Sequence, residues 1–175
     1  MRSMEEIYSY SLDRLTEYMQ DNRAKPYKAK QVYHWLYKKG VTSFKEMTGL
    51  SKDLIARLEE DFYIENLKLI EKQVASDGTS KFLFELVDGS LIESVLMVFD
   101  YGYSACISTQ VGCNMACAFC ASGLLKKKRD LTSGEILGQA LWIESMLLEK
   151  GERLANIVVM EQGNPLITMI MSWQP

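Results

Sequence analysis

The stretch Ala105-Cys106-Ile107-Ser108-Thr109-Gln110-Val111-Gly112-Cys113-Asn114-Met115-Ala116-Cys117-Ala118-Phe119-Cys120 decides how this chain is read. Residues 105–109 read as a short strand, and the cysteines follow on the loop that leaves it. Beyond a basic stretch at residues 126–129, Ser133 offers an N-cap, and Ile136, Leu137, Ala140, Leu141, Ile143 and Leu147 recur at helical spacing. Gly151 stands where that helix should close, and residues 155–160 supply a second apolar strand. Strand, loop, helix and strand make a βαβ unit, whose ligands gather at the carboxyl ends of its strands. The cysteine loop lies at that end of the first strand, and Gly163-Asn164-Pro165 at that end of the second.

Upstream the hydrophobic period changes. From residue 67 to residue 98 apolar residues alternate, and Asp77-Gly78 and Asp88-Gly89 mark turns, so a small meander of hairpins is expected. Phe82, Phe84 and Leu86 share one face. Residues 91–98 read as apolar on both faces except at Glu93 and Ser94, which makes Glu93 conspicuous. Before residue 66 the period is helical: Ser11 precedes Leu12, Leu15 and Met19, and Ser51 precedes Leu54, Ile55, Leu58 and Phe62. Between them Pro26 precedes Ala29, Val32, Tyr33, Leu36 and Tyr37, with Gly40 as the C-terminal cap. The expected fold class is α/β: a small helical domain at 1–66, a β-meander at 67–98, and a βαβ unit at 99–175. That last part reads as incomplete, because two parallel strands cannot cover both faces of their sheet and residues 166–175 carry no closing pattern.

Composition sets the outer bounds. The 175 residues are 47% hydrophobic and 25% charged, the balance of a folded globular chain. No apolar run approaches the ~20 residues that span a bilayer, and residues 1–20 carry acids where a signal peptide has its apolar core. A cytoplasmic protein without a membrane partner is therefore expected. Lysine and arginine number 20 against 23 acids, a net charge of -3, so a nucleic acid would have to be met by a local patch. Arg23, Lys25, Lys28, Lys30, Lys38 and Lys39 are interleaved with Tyr27, Tyr33, Trp35 and Tyr37, a pattern able to neutralise phosphates and stack on unpaired bases. A solvated surface over a helical core is the plainer reading of the same stretch. Lys126, Lys127, Lys128 and Arg129, beside the cysteine loop, favour an RNA substrate over a small molecule.

All the cysteines, Cys106, Cys113, Cys117 and Cys120, fall in one segment. Such crowding in a cytosolic chain points to metal or redox chemistry before disulfides. Cys113, Cys117 and Cys120 are spaced C-x3-C-x2-C. Three thiolates on a tight loop can hold three irons of a cubane cluster and leave the fourth open to a chelating ligand. A zinc site with Cys106 as fourth ligand, and buried structural thiols, are the other readings that the spacing leaves open.

With Phe119 directly before the last cysteine, the motif resembles the signature of radical S-adenosylmethionine enzymes. The wider run from 106 to 123 resembles, more narrowly, the RlmN-type RNA adenine C2-methyltransferases. So do residues 77–97, the region from Arg129-Asp130-Leu131-Thr132 through Glu135-Ile136-Leu137, and the N-terminal Ala29-Lys30-Gln31 with Trp35-Leu36-Tyr37. The resemblance implies a radical S-adenosylmethionine partial (β/α) barrel and a [4Fe-4S] cluster bound by Cys113, Cys117 and Cys120. It implies S-adenosyl-L-methionine as cofactor, cleaved to a 5'-deoxyadenosyl radical, with Phe119, Gly163 and Asn164 beside it. Glu93 becomes the acid/base residue, a role that suits a carboxylate desolvated by Leu91, Ile92, Val95 and Leu96. Cys106 becomes the thiol that releases product by exchange with a second, methyl-carrying cysteine. The implied partners are rRNA and tRNA, held in part by the helical domain, and an electron donor such as flavodoxin or ferredoxin.

Two features depart from the family pattern. No cysteine follows Cys120 to carry the methyl group, and Asn164 stands where the family's Gly-Glu-Pro motif has an acid for the amino group of the cofactor. A neutral amide cannot pair with an ammonium as a carboxylate does. The likeness fades after Met160, as a truncation or frameshift there would produce, and an inactive or incomplete form is expected. The alternatives are a non-catalytic RNA-binding remnant with an iron-sulfur or zinc site, and a relative that methylates C8 of adenine.

Overall fold

The computed structural model describes residues 4–115, 117–118, 120–160 and 162–163. The chain divides into two compact units, Met1–Glu65 and Asn66–Pro175. The first contains β1 (Glu5–Glu6), α1 (Leu12–Asp21), α2 (Tyr27–His34), α3 (Lys52–Asp61) and β2 (Phe62–Tyr63). Both expected serine caps form: Ser11 Oγ accepts the Arg14 N–H and Ser51 Oγ accepts the Leu54 N–H. After Pro26, α2 runs on into a wider π-helical turn, Trp35–Lys39, and Gly40 ends it in the left-handed conformation. Leu15, Met19, Ala29, Val32, Leu36, Leu54 and Leu58 are buried, while Tyr33 and Tyr37 stack on each other in half-buried positions. The helical period does not reveal that β1 and β2 pair in parallel, Glu5 opposite Phe62, because two-residue strands are too short to show any period.

The second unit is built on one mixed sheet. Its strands are β3 (Lys68–Val74), β4 (Ser80–Glu85), β5 (Leu91–Phe99) and β6 (Gly102–Ile107), with β9 (Leu154–Val159) beside β6. β3 to β6 are antiparallel in succession, and β6 and β9 are parallel. The Asp77 and Asp88 carboxylates turn back to accept the Thr79 and Ser90 N–H groups, which shapes the two hairpin turns. Between β6 and β9 the chain forms β7 (Gln110–Val111), the cysteine loop, β8 (Arg129–Asp130) and α4 (Ser133–Leu148). The cap of α4 is Thr132 rather than Ser133. Thr132 Oγ1 accepts the Glu135 N–H and the Glu135 carboxylate accepts the Thr132 N–H. That reciprocal box needs an acid three residues after the cap, and only Thr132 has one there.

α4 covers one face of the sheet. Phe82, Phe84, Ile92, Leu96, Ala105 and Ile107 are buried with Ile143 and Leu147 of the helix. Trp142 sets its ring edge-on to both Phe82 and Phe84, at 5.3 and 5.2 Å. Each such side chain contributes about 1.5–3 kcal/mol on burial. The second face alternates with the first and carries Lys81, Leu83, Glu93, Val95 and Cys106. Residues 91–98 therefore do not lie between two apolar layers as their composition implied. Val95 pairs with Cys106, so the meander and the βαβ unit share a single hydrogen-bonded sheet.

Candidate functional site

The cysteine loop starts from a buried polar junction at the carboxyl end of β6. Gln139 of α4 is fully buried, and its Oε1 accepts both the Ser94 hydroxyl at 2.7 Å and the Ser108 N–H at 2.8 Å. Its Nε2 donates to the Ser108 and Glu135 carbonyls, each at 3.0 Å. The Ser108 hydroxyl donates to the Glu93 carbonyl at 2.6 Å and accepts the Gln162 N–H at 3.2 Å. Thr109 N–H and Gln110 N–H both donate to the Gln162 carbonyl. Strands β5 and β6, helix α4 and the segment after β9 are thus tied at one point, where the Gln139 amide is fully paired and Gln162 Oε1 is buried without a hydrogen-bond partner. Sequence reading passed over Gln139. Its signal was a polar residue set among the apolar positions of α4.

The loop leaves and returns through a short ribbon. β7 pairs antiparallel with β8, Gln110 opposite Asp130 and Val111 opposite Arg129. Beyond it, Lys128 N–H donates to the Val111 carbonyl and Cys113 N–H to the Leu125 carbonyl. Gly112 has φ +74°, and a side chain there would run into the Lys126 carbonyl, so the exit tolerates only glycine. Cys113 is buried, and its Sγ accepts the Met115 N–H at 3.4 Å. Cys120 is half-buried and Cys117 exposed, with Cys120 N–H donating to the Cys117 carbonyl. Phe119 lies outside the described residues.

As a donor set the loop fits an iron-sulfur cluster. It offers three thiols without a carboxylate or imidazole among them, and a backbone N–H already directed at one sulfur. Among the described residues, no three His, Cys, Asp or Glu side chains converge closely enough to hold a metal ion. The fit is one of ligand chemistry and loop position.

The basic cluster beside the loop is largely committed to structure. Arg129 grips Glu135 with two nitrogens at 2.7 Å each and reaches Asp88 with Nε at 2.9 Å. Its hydrogen bond, followed by that from the Ser90 N–H, holds the Asp88 carboxyl well below the usual carboxylate range. Arg129 is in turn held firmly cationic, chiefly by Glu135 and then by Asp88. Lys127 pairs with Asp130 at 2.8 Å. Only Lys126 and Lys128 of this cluster are exposed, which corrects the reading of four bases turned toward RNA.

Glu93 also lies in different surroundings from those inferred. Of the four apolar residues expected to desolvate it, Ile92 and Leu96 point to the α4 face, and only Leu91 and Val95 share its own. Glu93 is on the second face, 28% exposed, with Lys81 Nζ at 2.7 Å from Oε1. A cleft of about 60 Å³ there is lined by Glu71, Gln73, Lys81, Leu83 and Glu93. Cys106 is on the same face of the neighbouring strand, opposite Val95, and is buried. The structure therefore places Glu93 and Cys106 on one face and starts the loop of Cys113, Cys117 and Cys120 beyond the end of the strand that carries Cys106. Gly163, at φ +101°, follows Gln162 so closely against Gln110 that an added Cβ would lie 2.6 Å from Gln110 Cγ. Asn164 lies outside the described residues.

Comparison with known proteins finds relatives of most of the chain. Residues 6–64 match the family model of the ribosomal RNA large subunit methyltransferase N-terminal domain. Over 161 residues the chain is 50% identical to a probable dual-specificity RNA methyltransferase RlmN of Exiguobacterium sibiricum, covering 91% of this chain and 45% of that protein. The chain is thus similar to the RlmN methyltransferases along nearly all of its length. The corresponding Bacillus subtilis protein is 48% identical over 159 residues, with 91% and 44% covered. Among solved structures, a radical SAM methyltransferase from Sphaerobacter thermophilus superposes with a TM-score of 0.88 at 34% identity, over 96% of this chain and 50% of that one. The chain spans about half the length of the relatives it matches. The α/β fold is that of the radical SAM methyltransferase over the shared half.

Proposed function

We propose that the chain carries the cluster-binding and substrate-facing part of a radical S-adenosylmethionine enzyme that methylates C2 of an adenine in rRNA and tRNA. The observation that carries this reading is the common placement of Glu93 and Cys106 on one sheet face, with the three-thiol loop rising from the same end of the sheet. In this reading Cys113, Cys117 and Cys120 hold a [4Fe-4S] cluster, and S-adenosyl-L-methionine bound there supplies the carbon radical. Phe119, Gly163 and Asn164 stand beside that cofactor. Glu93 handles a proton at its carboxylate, which the Lys81 ammonium holds in place at 2.7 Å. The Cys106 thiol takes part in product release. Gln139, Ser108 and Arg129 touch no reactant; they position the loop.

The setting proposed is the cytoplasm, with a small electron carrier such as flavodoxin or ferredoxin as reductant. Among the described residues no helix is long and apolar enough to cross a membrane.

Anaerobic reconstitution with iron and sulfide tests the metal assignment. The expected product is brown, with a reduced-cluster signal by electron paramagnetic resonance that Cys117→Ala abolishes; a colourless protein carrying stoichiometric zinc would overturn it. Addition of S-adenosylmethionine, reductant and an RNA hairpin tests the chemistry. Weak release of 5'-deoxyadenosine is expected without C2-methyladenine, since no cysteine follows Cys120 in these 175 residues. Methylated RNA would show that a second thiol is dispensable.

A further inference from the structure

The turn between α1 and α2 contains the one non-glycine residue with positive φ among those described, Arg23 at +56°. Its backbone closes α1 in a regular way: Arg23 N–H donates to the Gln20 carbonyl at 3.0 Å and Ala24 N–H to the Met19 carbonyl at 2.8 Å. This is the double-bonded helix end whose left-handed residue is usually glycine, because any side chain there meets its own carbonyl. An arginine at that position strains the backbone, and such strain is a pointer to function when the side chain has somewhere to act.

That place is a cleft of about 240 Å³ lined by Arg23, Lys25, Tyr27, Lys28, Asp53 and Arg57, among others. Two of the cations are occupied. Lys28 Nζ donates to the Gly49 carbonyl and sits 5.1 Å from the Tyr27 ring centre; Arg57 holds the Asn22 carbonyl and neutralises Asp53 at 3.1 Å. Arg23 and Lys25 are exposed and enter no ion pair among the described residues. Tyr27 is 50% exposed. The cleft therefore offers two uncommitted cations beside a half-exposed aromatic ring, with its acid already paired.

We infer that this cleft binds a single unpaired nucleotide of RNA, with the base stacked on Tyr27 and the phosphate held by Arg23 and Lys25. Stacking on an aromatic ring next to cations is the mode in which unpaired bases are held without reading their edges. A concave site of this size admits one splayed nucleotide, whereas a paired one is kept out by its partner strand. The inference rests on the reading that the chain acts on RNA.

Fluorescence anisotropy with the 175-residue chain provides the test, using a labelled RNA hairpin with an unpaired loop and a fully paired duplex of the same stem. Tyr27→Ala should weaken hairpin binding roughly tenfold, the scale of one lost base stack, and Tyr27→Phe should bind like the parent. Arg23→Gly should weaken hairpin binding roughly fivefold while the melting temperature stays level or rises, because glycine relieves the left-handed strain. Duplex binding should not change in any variant. If the parent binds the hairpin and Tyr27→Ala and Arg23→Gly bind it equally well, or if they weaken duplex binding to the same extent, the cleft is not a nucleotide site, although RNA binding stands. If the parent binds neither RNA, the cleft and the RNA reading fall together.

Discussion

Ser94 and Glu93 are adjacent in β5 and meet opposite fates. Ser94 faces α4, is wholly buried and gives its hydroxyl to Gln139; Glu93 faces the other way, is part-exposed and meets Lys81. The difference extends to the whole sheet. On the α4 face Ser94, Ser108 and Gln139 satisfy one another's polar groups, as burial demands. On the second face Glu71, Lys81 and Glu93 line a cleft open to solvent. Stability therefore belongs to one face and the proposed chemistry to the other.

Substitutions should separate the two faces. On the covered face, Phe84→Ala removes a ring packed against Trp142 and should lower unfolding free energy by about 3–5 kcal/mol in a urea titration. Gln139→Ala should follow at about 2–3 kcal/mol, because Ser94 Oγ and Ser108 N–H are left buried without their acceptor. A loss under about 1 kcal/mol would mean that water replaces the amide and that the junction is not dry.

Arg129→Met should cost about 1–2 kcal/mol and also change the response to acid. The Asp88 carboxyl is depressed in the fold relative to its ordinary 3.8, so its contribution is full above that value and is lost as pH falls through the depressed one. Because Asp88 is well exposed, solvent screens much of this effect. Arg129→Met should flatten that part of the stability profile below about pH 4; an unchanged profile would show that the pair contributes nothing in solution.

Lys81→Met, on the second face, should shift stability least, by no more than about 0.5 kcal/mol, since its pair with Glu93 is solvent-accessible. A loss as large as that of Gln139→Ala would erase the distinction between the faces.

Much of this fold was legible in the chain. The α1 and α3 caps, the Asp-Gly turns, the Phe82-Phe84-Leu86 face and the order of the βαβ unit depend on local patterns, and the structure shows each. The readings that failed concern partners distant in sequence. Residues 91–98 looked doubly apolar because leucine and valine on the second face resemble those on the first. Arg129 was counted among the bases favouring RNA because Asp88, 41 residues away, and the Glu135 carboxylate turned back at the helix cap meet it only in the fold. Gln139 drew no notice because Ser94 of β5 and Ser108 just past β6, which it joins, are distant in sequence.

Most of the elements and the proposed thiol ligand set follow from residue order, since period, caps and C-x3-C-x2-C spacing act over a few residues. Which polar group is sealed and which is open to a reactant was decided only when the sheet closed against α4. Burial and long-range pairing are properties of the assembled layers, and a strand's alternation names two faces without saying which one will be covered.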